Sequence, residues 1–305
     1  MHARSSPRRV SSGLFSFTSF GVVRMLGGPS RSTIETEIYS RAVLIGDFDG
    51  AIILAVAQVV VLLVAGFVVF RQRKDESMRS GRMETTRARL SSAKGRWVVV
   101  AIISLTVAWT IAPWWAAVAK SIGGWGFVTK PDFRAALGVT LRTAAICAVL
   151  AGLLGTASAL AATYGGRLLR LVIGATGLPL TISAVVIGFG FIVTFDEPPF
   201  DLRSSFLITP LAHCLIATPL ASFVVSQGAR AIPRDLGAAA MTLGASRWRA
   251  WLSIDGPLLG KSIASAVALS AAVSLGEFGA SSFLSRRDST TLPILISREL
   301  SRPGD

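Results

Sequence analysis

Residue types that perform acid–base, nucleophilic or metal chemistry are scarce in this chain. Its two histidines are at positions 2 and 213, and its two cysteines are Cys147 and Cys214. A metal site or a catalytic triad needs three or four such side chains at matched spacings, and His213-Cys214 has no further ligand type near it in the sequence. We therefore expect no catalytic residues, no metal site and no cofactor bound by this chain, and interpret the cysteines as small apolar residues.

Glu277 is the most informative ionisable residue, because it lies within an apolar stretch from Ser262 to Leu284. An ionisable group at membrane depth is costly, and it marks either a transport pathway or a partner on another helix. Alternatively, the carboxylate reaches the membrane surface and orders a helix end. Ser274, Gly188 and Gly190 are further candidates for a pathway lining, with close helix packing as the alternative role of the glycines.

The polar segment from Pro233 to Pro257 predicts two short helices joined by a tight turn. Gly244 is expected to end the first helix in a left-handed conformation, which glycine adopts without steric cost. Ser246 then caps a second helix that runs from Arg247 to about Ile254. Asp255, Gly256 and Pro257 are expected to stop that second helix.

A possible phosphate-binding loop follows directly, since Gly256 and Gly260 precede Lys261 and Ser262. Three residues separate the two glycines instead of the four that the phosphate-binding motif requires. Lys261 is better interpreted as an anchor whose stem lies in the apolar layer and whose ammonium group reaches water. We therefore predict that the chain has no ATP site of its own.

Composition places these residues in a membrane protein. Of the 305 residues, 51% are hydrophobic and only 16% are charged, and the mean hydropathy is +0.59. An apolar bilayer core of about 30 Å requires roughly 20 apolar residues per helix. We predict an all-α, polytopic transmembrane helix bundle with about six spans. The predicted spans are 51–70, 97–118, 138–162, 171–195, 206–227 and 262–284.

Charge orients these spans. The net charge is +14, and the loop of residues 71–96 alone holds nine Lys and Arg. Basic loops stay on the cytoplasmic side of a membrane, so this loop and the segment from Pro233 to Pro257 are predicted to be cytoplasmic. The acidic turn at 196–199 and the tail from Ser285 are then extracytoplasmic. Because the excess charge is explained by orientation in the lipid bilayer, we do not expect nucleic-acid binding.

The cytoplasmic segment resembles the conserved loop of binding-protein-dependent ABC importer permeases, whose pattern is Glu-Ala-Ala, three residues, Gly, nine residues, Ile-x-Leu-Pro. The matching residues here are Ala238, Ala239, Ala240, Gly244, Arg247 in the second helix, Ile254 and Pro257. Ala238 replaces the usual Glu and Gly256 the usual Leu. The resemblance implies docking onto a cytoplasmic ATPase subunit, which would use the ATP. The alternative is a basic amphipathic hairpin on the membrane surface.

A second resemblance concerns Ser274 to Ala280 and Thr290 to Pro293, which are similar to the corresponding residues of the iron(III) and thiamine type permeases, in which two permease halves are fused. An internal repeat at an offset of 258 residues agrees with such a fusion. The repeat pairs Ser16 with Ser274, Phe20-Gly21 with Phe278-Gly279, Leu26 with Leu284, Thr33 with Thr291, and Ile38 with Ile296.

This resemblance predicts the domain organisation. Residues 1–50 form the end of a first half, 51–70 a transmembrane helix, 71–96 a basic linker, and 97–305 a second half without its final helix, so the chain is expected to be cut short at both ends. The implied function is import of iron(III) or thiamine, with an ATPase, an extracytoplasmic binding protein and a second permease chain as partners. The alternatives are an inactive or partner-dependent fragment, or a membrane-embedded enzyme.

Overall fold

The computed structural model describes residues 20–26, 32–79, 93–122, 125–166, 169, 173–196, 198 and 201–301. Across these residues the secondary structure is helical and includes no strand, which confirms the predicted all-α class. The α-helices are α1 Phe20–Leu26, α2 Ile34–Tyr39, α3 Phe48–Arg79, α4 Ala93–Ser121, α5 Pro131–Tyr164, α6 Ala184–Phe195, α7 Ile208–Ala231, α8 Arg234–Thr242, α9 Arg247–Ala250, α10 Gly256–Gly276, α11 Gly279–Leu284 and α12 Leu292–Leu300.

Five helical segments of the described chain are long and apolar enough to cross a bilayer. They are Phe48–Ala65, Gly95–Ser121, Pro131–Tyr164, Ile208–Ala231 and Arg247–Gly276. Each overlaps one of the predicted spans. The multi-pass membrane character predicted from composition is therefore confirmed by helices of the required length.

The predicted span at 171–195 is not one continuous helix. A 3₁₀ helix, Ala175–Thr181, contains Pro179, and Ile182 is extended with φ −101° and ψ 136°. Ser183 then caps α6 by accepting a hydrogen bond from the Val185 N–H at 3.2 Å. Proline lacks an N–H and serine competes for a backbone donor, so together they break the helix. The remaining 12 residues of α6 extend about 18 Å, which is shorter than a bilayer core.

The last predicted span, 262–284, is displaced in the structure. A π-helical turn, Trp251–Asp255, joins α9 directly to α10, so the predicted stop at residues 255–257 is wrong. The Gly256 N–H reaches back to the Trp251 carbonyl, and this wider turn lets the helix continue past Pro257, which has no N–H to donate. At the other end, α10 stops at Gly276, ahead of Glu277.

The chain forms two compact units. The first comprises residues 1–71 and 136–305. It has one hydrophobic core in which α7 packs against α10 and another in which α6 packs against α11. The second unit, residues 72–135, contains α4, whose candidate span at 95–121 buries none of its residues. Trp109, for example, is 81% exposed. An apolar helix surface of this kind is suited to contact with lipid.

The internal repeat corresponds to a repeat of helix positions in the first unit. Adding 258 residues to the first residues of α1 and α2 gives 278 and 292, which lie at the start of α11 and α12. Thr33 and Thr291 are the N-cap residues of α2 and α12. The paired rings of Phe20 and Phe278 are stacked with their centroids 5.5 Å apart.

The start of α3 is held by an acidic cap. Asp47 accepts hydrogen bonds from the Gly50 N–H and the Arg41 guanidinium, both at 2.9 Å. The Gly50 N–H, followed by Arg41, lowers the pKa of the Asp47 carboxyl below its usual range. Gly46, with φ +80°, makes the turn that precedes this cap.

Small residues allow close approach of the long helices in the first unit. A Cβ atom at Gly155 of α5 would lie 2.5 Å from the Ala221 Cβ and 2.8 Å from the Ser222 backbone nitrogen of α7. Gly152 faces Val267 of α10 in a similar way. These glycines therefore have a packing role, because any larger side chain would separate the helices.

We predict that Gly155→Leu lowers the free energy of unfolding by about 1–3 kcal/mol, because the added side chain overpacks the α5–α7 contact. Gly138→Leu is the matched control, since Gly138 is in the same helix and no atom lies within 4 Å of the position that a Cβ would take there. Thermal unfolding in detergent measures both variants. Equal unfolding temperatures for the two variants would contradict the assigned contact.

Candidate functional site: a helical hairpin and a buried histidine cluster

A buried polar cluster joins α7 to the far end of α10. We call His213, Ser274, Glu277 and Ser281 the histidine cluster. His213 Nδ1 lies 2.8 Å from Ser274 Oγ, and Nε2 lies 2.9 Å from Ser281 Oγ and 3.3 Å from Glu277 Oε2. Nε2 thus faces two oxygens, of which the Glu277 carboxylate can only accept a hydrogen bond. All four side chains are buried, and each has a partner within the cluster.

Glu277 lies between two helices. Its backbone is extended, with φ −74° and ψ 120°, and its two carboxylate oxygens accept the N–H groups of Ala280 and Ser281 at 3.0 Å each. These donors belong to the first turn of α11, where backbone N–H groups have no partner inside the helix. The sequence placed Glu277 within a span, but the carboxylate occupies a break between α10 and α11 and stabilises the start of α11.

The structure brings together three of the four residues suggested for a pathway. Ser274 and Glu277 belong to the histidine cluster, and a Cβ at Gly188 of α6 would lie 2.6 Å from the Ala280 Cα in α11. Gly190 is different, because no atom lies within 4 Å of its Cβ position. Gly188 is therefore a packing contact beside the cluster, whereas Gly190 has open space.

In the sequence, His213 has no polar partner close to it, and nothing there links it to Ser281. The structure confirms the burial of His213 but gives its ring three polar neighbours. The spacing carried a partial signal, because residues 274, 277 and 281 recur at intervals of three and four and would share a face of a continuous helix, although the helix breaks at Glu277 in the structure. No group of three or more potential metal ligands occurs among the residues that the structure describes.

The segment from Arg234 to Asp255 forms the predicted pair of helices, which we call the helical hairpin. Gly244 has φ +89°, which confirms its predicted left-handed conformation. The Gly244 and Ala245 N–H groups donate to the carbonyls of Met241 and Ala240, both at 3.0 Å, and so close the end of α8. Ser246 caps α9 by accepting the Arg249 N–H at 3.3 Å, also as predicted.

The motif residues of the helical hairpin are mostly exposed. Ala238, Ala239, Gly244, Arg247 and Pro257 are exposed, while Ala240 and Ile254 are half-buried. Two large apolar side chains also face outward at the turn, with Leu243 89% exposed and Trp248 67% exposed. Exposed apolar side chains that are concentrated on a turn form a surface suited to contact with another protein.

The suspected phosphate-binding loop is helical in the structure. Residues 256–262 form the first turns of α10, so their backbone N–H groups do not line an open loop. Lys261 is exposed on this helix, which agrees with its interpretation as an anchor.

The helical hairpin and the histidine cluster lie at opposite ends of α10. The 21 residues of this helix extend about 31 Å, which is the thickness of a bilayer core. The hairpin connects α7 to α10 at one end, and His213 bonds α7 to α10 and α11 at the other. A displacement of the hairpin therefore has a direct mechanical route to the far end of the bundle.

Comparison with known proteins gives three informative relatives, while no family model matches the chain. The putative 2-aminoethylphosphonate transport system permease protein PhnV of Salmonella typhimurium is 34% identical over 156 residues, or 50% of this chain and 59% of PhnV. The putrescine transport system permease protein PotI of Escherichia coli K12 is 29% identical over 183 residues, 56% of this chain and 64% of PotI. The matched region thus spans less than two thirds of either relative.

A third relative is covered more completely. The molybdenum transport system permease protein ModB of Mycobacterium tuberculosis is 31% identical over 193 residues, which are 59% of this chain and 73% of ModB. All three relatives are named as permeases of transport systems. Their common family agrees with the exposed helical hairpin, the long apolar helices and the motif at residues 238–257. The chain therefore belongs to the permease family of ABC transport systems.

Proposed function

We propose that this chain is a membrane permease subunit of an ATP-driven importer, and that its helical hairpin docks onto a separate cytoplasmic ATPase subunit. The observation that carries the proposal is the bend at Gly244, which presents Leu243 and Trp248 outside the apolar bundle. Such a surface gains stability when it is buried against a partner. ATP is hydrolysed by that partner, and the chain itself supplies passage and coupling.

The absence of the usual Glu at position 238 changes how the docking surface works. Ala238 is exposed and offers no charge to a partner, so binding depends on apolar side chains and on the hairpin's shape. The stacked rings of Trp248 and Trp251, whose centroids are 5.4 Å apart, stiffen the second half of the hairpin. A stiff hairpin transmits displacement to α10 without a break, because the π-helical turn continues into that helix.

An extracytoplasmic binding protein and a second permease chain complete the proposed importer. The repeat of helix positions supports the proposal that residues 1–50 correspond to the end of a first permease half and residues 97–305 to a second one. The substrate prediction of iron(III) or thiamine stays a prediction that rests on the motif at Ser274 to Ala280. The relatives are named for transport of a phosphonate, molybdenum and putrescine.

The pathway proposal concerns the far end of α10. Glu277 and Ser274 hold the junction of α10 and α11 through His213, while Gly188 lets α6 approach α11 and Gly190 leaves open space on the same helix. We assign Glu277 the role of fixing this junction, so that the far end of the pathway keeps its shape when the hairpin moves. Ser274 and Gly188 position the helices around it, and Gly190 provides the open space of the pathway.

We predict that Gly244→Val uncouples the permease from its ATPase. Valine is strained at φ +89°, so the turn changes and the apolar surface is misplaced. Co-purification with the ATPase subunit and substrate uptake are both expected to fall at least about ten-fold, which corresponds to a loss of about 1.4 kcal/mol.

Gly260→Val is the matched control, because Gly260 is exposed, has an ordinary helical conformation and has no atom within 4 Å of its Cβ position. This variant is expected to keep uptake and ATPase association. If Gly244→Val retained both activities, the coupling role of the hairpin would be wrong.

We further predict that Glu277→Ala lowers stability and uptake while ATPase association persists. Removal of the carboxylate leaves the Ala280 and Ser281 N–H groups without their acceptor, which costs about 1–3 kcal/mol per unsatisfied group, and it removes one of the three polar neighbours of His213. Glu277→Gln keeps one acceptor oxygen and is expected to be intermediate. Thermal unfolding in detergent, uptake in vesicles and co-purification separate the effects, and a Glu277→Ala variant with wild-type unfolding would argue against the role.

A further inference from the structure

A second polar feature lies beyond the histidine cluster, in a cavity of about 440 Å³ between the first and last helices of the first unit. Arg24 of α1 and Arg298 of α12 line it, together with Tyr39 and the hydroxyl groups of Ser282, Ser285 and Ser297. The described lining residues include no Asp or Glu. The cavity thus combines two permanent positive charges with several neutral hydrogen-bonding groups.

We propose that this cavity, the arginine pocket, binds a small tetrahedral oxyanion, such as a phosphate, a phosphonate or a molybdate. Guanidinium groups present their N–H donors in a planar fork that matches pairs of oxyanion oxygens, and they keep their charge at every physiological pH. The inference rests on the proposed importer function, because it makes the oxyanion the transported substrate class.

The two arginines have donors available for such a ligand. The Arg24 guanidinium carbon lies 4.6 Å from the centre of the Tyr39 ring, which is a cation–π contact, and the residue is exposed. Arg298 donates one hydrogen bond, from Nη1 to Thr290 Oγ1 at 3.2 Å. Within the described parts of the chain, neither arginine is in a salt bridge.

Ser285 has a hydroxyl group that is not used by the fold. Its oxygen is inaccessible to solvent and has no hydrogen-bond partner among the described residues. A ligand atom in the pocket does not touch this oxygen directly, so Ser285 offers a donor to a ligand only after its side chain rotates toward the cavity. By contrast, Ser282 already donates to the Gly279 carbonyl at 2.7 Å, so its oxygen is available mainly as an acceptor.

Two aromatic rings separate the arginine pocket from a second cavity that contains acidic residues. Phe20 and Phe278 line the arginine pocket, and behind their stacked rings is a cavity of about 290 Å³ that is lined by Glu35 and Glu277. An anion in the arginine pocket is therefore attracted by two guanidinium groups that the aromatic rings separate from Glu35 and Glu277. The same charges disfavour a free cation such as thiamine in the arginine pocket.

The location of the arginine pocket suits a substrate entry site. Ser282, Ser285 and Arg298 follow the far end of α10, whereas the helical hairpin precedes its start. The pocket and the hairpin thus lie on opposite sides of an apolar helix about 31 Å long. A substrate that binds there is held on the side away from the ATPase.

The test is calorimetric titration of the purified protein, in lipid-free detergent, with molybdate, inorganic phosphate and methylphosphonate as probes and thiamine as the cationic control. We expect saturable binding of at least one oxyanion and no binding of thiamine. Arg24→Gln and Arg298→Gln are each expected to weaken oxyanion binding at least about ten-fold. Arg287→Gln is the control, because Arg287 is exposed and does not line the pocket.

A parallel titration with short-chain phosphatidylglycerol separates a free oxyanion from the phosphate of a lipid headgroup. Binding of the lipid but of none of the oxyanions would overturn the proposal, as would oxyanion binding that both glutamine variants retain. Unfolding temperatures establish that the variants are folded. Co-purification with the ATPase is measured on the same samples. If the wild-type protein does not associate with the ATPase, the importer function is wrong. The titration still decides whether the pocket binds an oxyanion.

Discussion

The packing of α7 against α10 is the constraint on which the rest of the structure depends. Their contact is built from small and branched residues, including Ala221, Val225, Leu259 and Ala266, all of them buried. Dispersion contacts across such a surface are short and numerous, which favours movement of the two helices as one body. The helical hairpin joins them at one end and the bonds of His213 join them at the other. The two helices are therefore connected to each other at both ends, and we call them the closed pair.

This closed pair explains how a chain with so little reactive chemistry is suited to transport. Its polar groups are used to hold helix ends, as Glu277 does for α11 and Asp47 does for α3. In the proposed importer, the ATPase subunit supplies the work through the helical hairpin, whose apolar side chains at the turn are exposed. The π-helical turn at Trp251–Asp255 matters here, because a true break at Pro257 would allow the hairpin to move without α10.

Much of the fold could be predicted from the sequence, because apolar length and turn chemistry are local properties. The long helices, the left-handed Gly244 and the Ser246 cap all follow from residue types within a few positions. The break at Ile182 and Ser183 was hidden inside an apolar run, where hydropathy does not distinguish one helix from two shorter pieces. The continuation through Pro257 depends on a π-helical turn, which has no simple sequence signature.

The candidate site was predicted less completely, because its contacts join distant parts of the chain. His213 lies 61 residues before Ser274 and 68 before Ser281, and a single sequence does not report such pairs. The arginine pocket was even less predictable, because its residues Arg24 and Arg298 come from opposite ends of the chain. In contrast, the hairpin was recognisable because all of its residues lie in one short segment.

In the proposed importer, the helical hairpin and the segment after α11 face opposite sides of the membrane. Accessibility of single cysteines to a membrane-impermeant maleimide measures this directly, in a background in which the buried Cys147 and Cys214 are replaced by serine. Leu243→Cys should be labelled only in inside-out vesicles and Asp288→Cys only in right-side-out vesicles, since both positions are exposed. Labelling of Leu243→Cys from the outside, or of both cysteines from the same side, would contradict the account.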